Sequence, residues 1–349
     1  MAPSGRARTR VVAALGAAVG SLLLAACGTS VAARPSLDGA PTRSVSVALS
    51  VVGCTRNDAC VAMGSSTTAV GLAASGEFST PRSPWIALHL PAVAAPSIAA
   101  IGCGGSTCLV GGVEAGGDLL WTFSASTHQV GILSPPSGGG GVEAIGCAAS
   151  LCALVDAGAR SGAPRWSTSA DAGASWSAPS PLPLAPGDVV TSVACASATR
   201  CVLAARDPAR HVLLEGTGDA GATWTALAVP GRWVALSSLT CSATTCRGLA
   251  RTRSESLLVR LGERGATGRS SVLGGPVTAL ACAGAGPCVV VGGTGGTPFL
   301  EALRAGRRAL EPRLRYVPGA LVGVACGTRR CAAIGDTTLL DVPLSLVEG

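Results

Sequence analysis

The chain contains no lysine: every one of its 26 basic residues is arginine. Taken with the excess of alanine, glycine, arginine and proline, the absence reads as the codon bias of a GC-rich genome and points to no partner. Aromatic residues make up 3%, with one tyrosine, so large rings cannot build the core and small and β-branched aliphatics must fill it. No G-x-S-x-G elbow and no H-E-x-x-H pair occurs, which removes two common hydrolytic constellations. The three histidines, His89, His128 and His211, share no repeat position. Beyond residue 26 the sequence has no unbroken apolar run long enough to predict a membrane-spanning helix.

The N-terminus carries more. "MAPSGRARTR" supplies three arginines, "VVAALGAAVGSLLL" an apolar run of signal-peptide length, and "LAAC" a small-residue end at Cys27. This order resembles the signal and lipobox of bacterial lipoproteins. The resemblance implies cleavage after residue 26, lipidation of Cys27 and an extracytoplasmic, membrane-anchored chain. Loss of Arg6, Arg8 and Arg10 with the signal lowers the formal charge from +7 to +4, too weak a bias to predict a nucleic-acid partner.

Fourteen further cysteines fall into seven close pairs, whose first members are 49, 44, 48, 46, 41 and 44 residues apart. Each pair sits in the same setting, as in "AIGCGGSTCLVGG": an apolar segment, a short polar loop between the cysteines, and a second apolar segment. The setting is a hairpin, and a period of about 45 residues suits the four short strands of a propeller blade. Across such a hairpin the flanking residues face one another at roughly 4.5–5.5 Å between Cα atoms, within reach of a disulfide. Structural zinc prefers two-residue spacings and often recruits histidine, so no metal or other cofactor is predicted. The expected bridges are Cys54–Cys60, Cys103–Cys108, Cys147–Cys152, Cys195–Cys201, Cys241–Cys246, Cys282–Cys288 and Cys326–Cys331.

A second signature follows in two successive repeats: "SADAGASW" (Ser169, Asp171, Gly173, Ser175, Trp176) and "TGDAGATW" (Thr217, Asp219, Gly221, Thr223, Trp224). Both fit the pattern S/T-x-D-x-G-x-S/T-W, and the chain therefore resembles the BNR, or Asp-box, sialidase-like propellers. The resemblance implies a structural turn between the third and fourth strands of a blade. Repeat five keeps a decayed copy with Glu263 and Gly268, and repeat one keeps Trp85. Trp121, Trp166 and Trp233 are left for packing.

The expected fold is thus all-β: a seven-bladed propeller of four-stranded antiparallel blades over residues 46–349. Residues 1–26 read as the signal and 27–45 as a tether that can donate a strand to close the last blade. The residues after Cys326 and those from Cys27 to Cys54 together come to about one period. The alternative is a reduced last blade ending in "TTLLDVPLSLVEG".

Sialidase chemistry needs a tyrosine nucleophile and an Arg-Ile-Pro motif; Tyr316 is the lone tyrosine and the motif is absent. The sequence reads as a non-catalytic, monomeric binding or scaffold propeller for an envelope protein or glycan, since the family also contains photosystem assembly factors and sortilin-type receptors. A glycoside hydrolase with a non-standard site is the alternative. Asp156, Arg206, Asp207, Arg251 and Asp336, near the ends of second strands, are candidates for a charged ring on one face.

Overall fold

A computed structural model of the chain describes residues 42–44, 48–68, 71–115, 117–136, 140–158, 162–243, 245–273, 276–294, 297–304, 307–310, 319–335 and 338–344. Cys27 and the signal, most of the tether, Tyr316 and Asp336 lie outside them. The described strands form seven four-stranded antiparallel sheets. Blade 1 comprises Val51–Cys54, Cys60–Thr68, Gly71–Thr80 and Ser83–Ala87. Blades 2 to 7 begin with Ser97–Gly104, Val142–Ala148, Val189–Cys195, Ala235–Cys241, Val277–Cys282 and Leu321–Cys326.

Six blades are simple meanders. The seventh takes its outer strand from the other end of the chain: Thr42–Ser44 pairs antiparallel with Thr338–Pro343, Thr42 opposite Leu340 and Ser44 opposite Thr338. Each first strand lies against the first strands of both neighbouring blades, the seventh against the first, so the sheets close into a ring.

Burial explains the sequence pattern. The core consists of seven apolar clusters, each shared by two adjacent blades. A second strand is covered on both sides, so it reads as a continuous apolar run rather than an alternation: all six residues of Leu151–Asp156 are buried. The first strands meet at the axis, where space is smallest. A Cβ on Gly102 would come within 2.6 Å of the Ile145 side chain, and one on Gly146 within 2.8 Å of the Val193 carbonyl. Glycine immediately before the first cysteine is therefore a packing requirement in these two blades.

Every cysteine pair faces its partner in register across the first hairpin, and all seven disulfides are formed. The Cα separations are 3.9 to 4.1 Å, those of directly opposed residues on adjacent strands.

Candidate functional site

Antiparallel alternation sends the loops of each blade to two faces. The cysteine loops and the turns between third and fourth strands share one face; the second-to-third loops and the connections between blades share the other. Backbone bonds from Ala172 to the Ser150 carbonyl and from Ala220 to the Thr199 carbonyl, each 2.8 Å, tie these turns to the cysteine loops of blades 3 and 4.

The two turns are built alike. In blade 3 the Asp171 carboxylate accepts from the Ser175 amide at 2.8 Å, the Ser175 hydroxyl at 2.5 Å and the Ser169 hydroxyl at 2.7 Å. In blade 4 Asp219 accepts from the Thr223 amide at 2.8 Å, the Thr223 hydroxyl at 2.6 Å and the Thr217 hydroxyl at 2.8 Å. The hydroxyl of Ser175 or Thr223, then its amide, then that of Ser169 or Thr217, lowers each carboxyl to about 2. Gly173 and Gly221 hold φ of 95° and 93°, a region that excludes side chains at little cost only for glycine.

Both glycines also dock the turn on the preceding blade. A Cβ on Gly173 would meet Leu109 at 2.7 Å, and one on Gly221 would meet the Trp166 indole at 2.1 Å. Trp176 and Trp224 accordingly pack against the clusters between blades 2 and 3 and between blades 3 and 4, not over their own hairpins. Trp166 donates to the Ala220 carbonyl at 3.0 Å and meets Trp224 edge-on at 4.9 Å. Blade 5 has no such turn at Glu263: Gly262 and Gly265 pair across a two-residue loop. Trp85 lies buried in the fourth strand of blade 1 beside blade 7 residues, and Trp121 and Trp233 fill inter-blade clusters.

Arginines beside the second cysteine link successive cysteine loops. Arg200 donates to the Ala243 carbonyl at 2.7 Å, and Arg247 donates to the Gly286 carbonyl at 3.0 Å. At the ring's closure, buried Asp58 accepts from the Thr328 hydroxyl at 3.0 Å and the Arg329 amide at 2.9 Å, while Arg330 reaches the Ser79 hydroxyl at 2.5 Å and the Thr80 carbonyl at 3.1 Å. These contacts join blade 7 to blade 1 at the cysteine face, independently of the N-terminal strand.

On this face an open cavity of about 190 Å³ is lined by Arg56, Ala148–Leu151, Ala170 and Ala196–Ala198. The residues come from blades 1, 3 and 4. Blade 1 neighbours neither of the others in the ring, so the cavity sits at the axial end. Among the described residues no carboxylate, histidine or cysteine lines it.

The opposite face carries a bulge at the start of the first strand in blades 2, 3, 4, 6 and 7, while in blade 5 the shift lies further along, between Ser237 and Thr240. At this position Thr191 and Thr278 donate across to the first-strand carbonyls of Leu236 at 2.7 Å and Leu321 at 2.6 Å. Ser50, just before the first strand of blade 1, does the same to Ile98 at 3.1 Å. Blade 3 places Glu143 there, accepting from the Val190 amide at 3.3 Å. Burial raises the Glu143 carboxyl, against the Val190 bond and with the help of the neighbouring Asp156 charge.

The proposed charged ring is uneven. Asp156 is buried and accepts from the Gly158 amide at 2.8 Å, Asp207 pairs with His211 at 2.8 Å, Arg206 is half-buried and Arg251 exposed. His89 is exposed in the connection after blade 1, and His128 stacks on Phe78 at 4.5 Å. Among the described residues no cluster of His, Cys, Asp or Glu could hold a metal ion.

Sequence reasoning missed Arg56 and Glu143. The sequence shows Arg56 as one charge in a polar loop, and only the meeting of non-adjacent blades gives it a cavity. Glu143 carried a signal: it is the acid at a position, four before the first cysteine, where four other repeats place a hydroxyl residue (Ser50, Thr191, Ser237 and Thr278).

No protein-family profile matches the chain, and no curated protein matches it. Solved structures do. Virginiamycin B lyase from Staphylococcus aureus is similar over 87% of this chain and 99% of its own, at 10% identity and a TM-score of 0.59. A catalytically inactive variant of that lyase with quinupristin matches at 8% identity and a TM-score of 0.61, over 87% and 99% of the two chains. YCF48 bound to D1 peptide matches at 13% identity and a TM-score of 0.59, over 90% of this chain and 99% of its own. At such identities the likeness is one of fold: this chain is a seven-bladed β-propeller.

Proposed function

We propose that the chain is a lipid-anchored, extracytoplasmic binding propeller that holds an envelope protein or glycan without transforming it. The observation that carries this reading is the axial cavity of the cysteine face, whose described walls are alanine, serine, leucine and one arginine, with no carboxylate, histidine or cysteine among them. The disulfide-stapled rim makes that face a rigid platform, and loops on a rigid scaffold are the usual seat of recognition. The Asp-box resemblance and the likeness to a propeller structure with a bound peptide support the same class. Capture from envelope extracts on the immobilised, oxidised chain should recover a reproducible protein or glycan; recovery of neither sinks the reading. Anchoring is tested separately: Cys27→Ala should move the chain from the membrane to the soluble fraction.

A second reading rests on Glu143 and Asp156, two electrostatically coupled carboxyls on the opposite face, one of them raised. That is the minimum a glycoside hydrolase requires. Turnover of aryl glycosides that is lost in Glu143→Gln would establish it; the binding reading expects none.

A further inference from the structure

We propose that the axial cavity of the cysteine face is a carboxylate-binding site, built to take the free C-terminus of a peptide whose last residue is small. Arg56 is the group that recognises the anion. The neighbouring rim arginines are engaged: Arg200 and Arg247 on carbonyls of the next blade, Arg329 on Asp58 at 3.5 Å, and Arg330 on Asp341 at 3.4 Å. Among the described residues the Arg56 guanidinium makes no such bond. Its backbone, by contrast, is fixed on both sides. The Arg56 amide donates to the Gly105 carbonyl of blade 2 at 3.2 Å, and its carbonyl accepts from the Thr328 hydroxyl of blade 7 at 3.1 Å. An exposed arginine on a pinned backbone, lining a cavity with no acid among its described residues, is a planar donor fork awaiting a carboxylate.

The remaining lining sets the size and character of the ligand. Ala149, Ala170, Ala198, Ser150 and Ser197 make up much of the remaining lining, and the Ser197 hydroxyl accepts from the Thr199 and Arg200 amides of its own loop. The cavity, about 190 Å³, is small and opens to solvent. That is room for one small residue with its terminal carboxylate, the rest of the chain leading out through the open side. Capture of a chain terminus is a recurring mode of peptide recognition. A free small acid shares the carboxylate but not the chain, and the probes below separate the two.

The site rests on the binding-module reading only for the source of the carboxylate. Its test is direct titration of the full chain, oxidised and in detergent, followed by calorimetry or NMR. The probes are N-acetyl-alanyl-alanine, its C-terminal amide, and acetate. The free acid is expected to bind in the millimolar range, the amide at least tenfold more weakly, and acetate more weakly than the dipeptide. Arg56→Gln should cost about tenfold or more in affinity for the acid, the scale of one charged hydrogen-bonded contact, with an unchanged melting temperature. Ala198→Leu, which fills the cavity, should exclude the dipeptide and leave acetate binding in place. Equal binding of acid and amide, an unaffected Arg56→Gln variant, or acetate binding as tight as the dipeptide's would overturn the proposal. So would no binding at all, which leaves a positive envelope capture standing.

Discussion

Single acids in this ring are tuned in opposite directions by what surrounds them. Asp171 and Asp219 are exposed, yet each carboxyl lies at about 2 because hydroxyls and an amide of its own turn point at it. The ionised form is favoured in the folded chain, so this stabilisation is fully present above the ordinary 3.8 and is lost as the pH falls towards 2. Asp171→Asn with Asp219→Asn replaces one acceptor oxygen by a donor and should lower the melting temperature at pH 7 by a few degrees. At pH 2, where each folded carboxyl is about half protonated, the gap should have shrunk to a small part of its size at pH 7; a gap as wide there as at pH 7 would contradict the assignment. Glu143 is the reverse case, its proton favoured by burial. Its contribution is fully present below 4.5 and declines as the pH rises through the raised folded value. Glu143→Thr restores the hydroxyl that blades 4 and 6 use at the same bulge. Thermal melts at pH 7 should show the variant one or two degrees higher, with a flatter dependence on pH between 4 and 7.

At the scale of the strand pair, the hairpin with its disulfide is the unit that repeats. The loop closed by Cys103 and Cys108 is short, so by chain entropy the bridge contributes only about 2 kcal/mol. Replacing both cysteines by alanine should cost about that in denaturant unfolding, with the ring intact. A loss of several times that size would mean that the bridge holds blades together and does not merely pin one hairpin. This level was the most legible in the sequence, because each cysteine pair marks its own hairpin and the period counts the blades. What stayed hidden is how hairpins meet. The role of Gly102 and Gly146 as contact points between inner strands depends on neighbours about one repeat away. The tryptophans of the two Asp turns likewise pack on a preceding blade that local sequence does not name.

In the whole molecule, function depends on residues that the ring brings together without regard to sequence distance. Arg56 shares a cavity with loops of blades 3 and 4, an adjacency that no periodicity or motif encodes. Closure is also a property of the whole: blade 7 is completed by Thr42–Ser44 and is separately latched to blade 1 through Asp58 and Arg330. The two devices act at different places, one along the outer edge of Thr338–Pro343 and the other at the cysteine face. Truncations can separate them. A chain beginning at Pro35 keeps the closing strand and should melt as the full chain does. One beginning at Ser46 loses it, leaving the third strand of blade 7 as an open edge above buried Leu339 and Leu340. It should melt several degrees lower, and amide exchange should quicken in residues 338–343 while blades 2 to 5 stay protected. Uniform loss of protection around the ring would show instead that the three-residue strand is the main clasp and that the Asp58 latch contributes little without it.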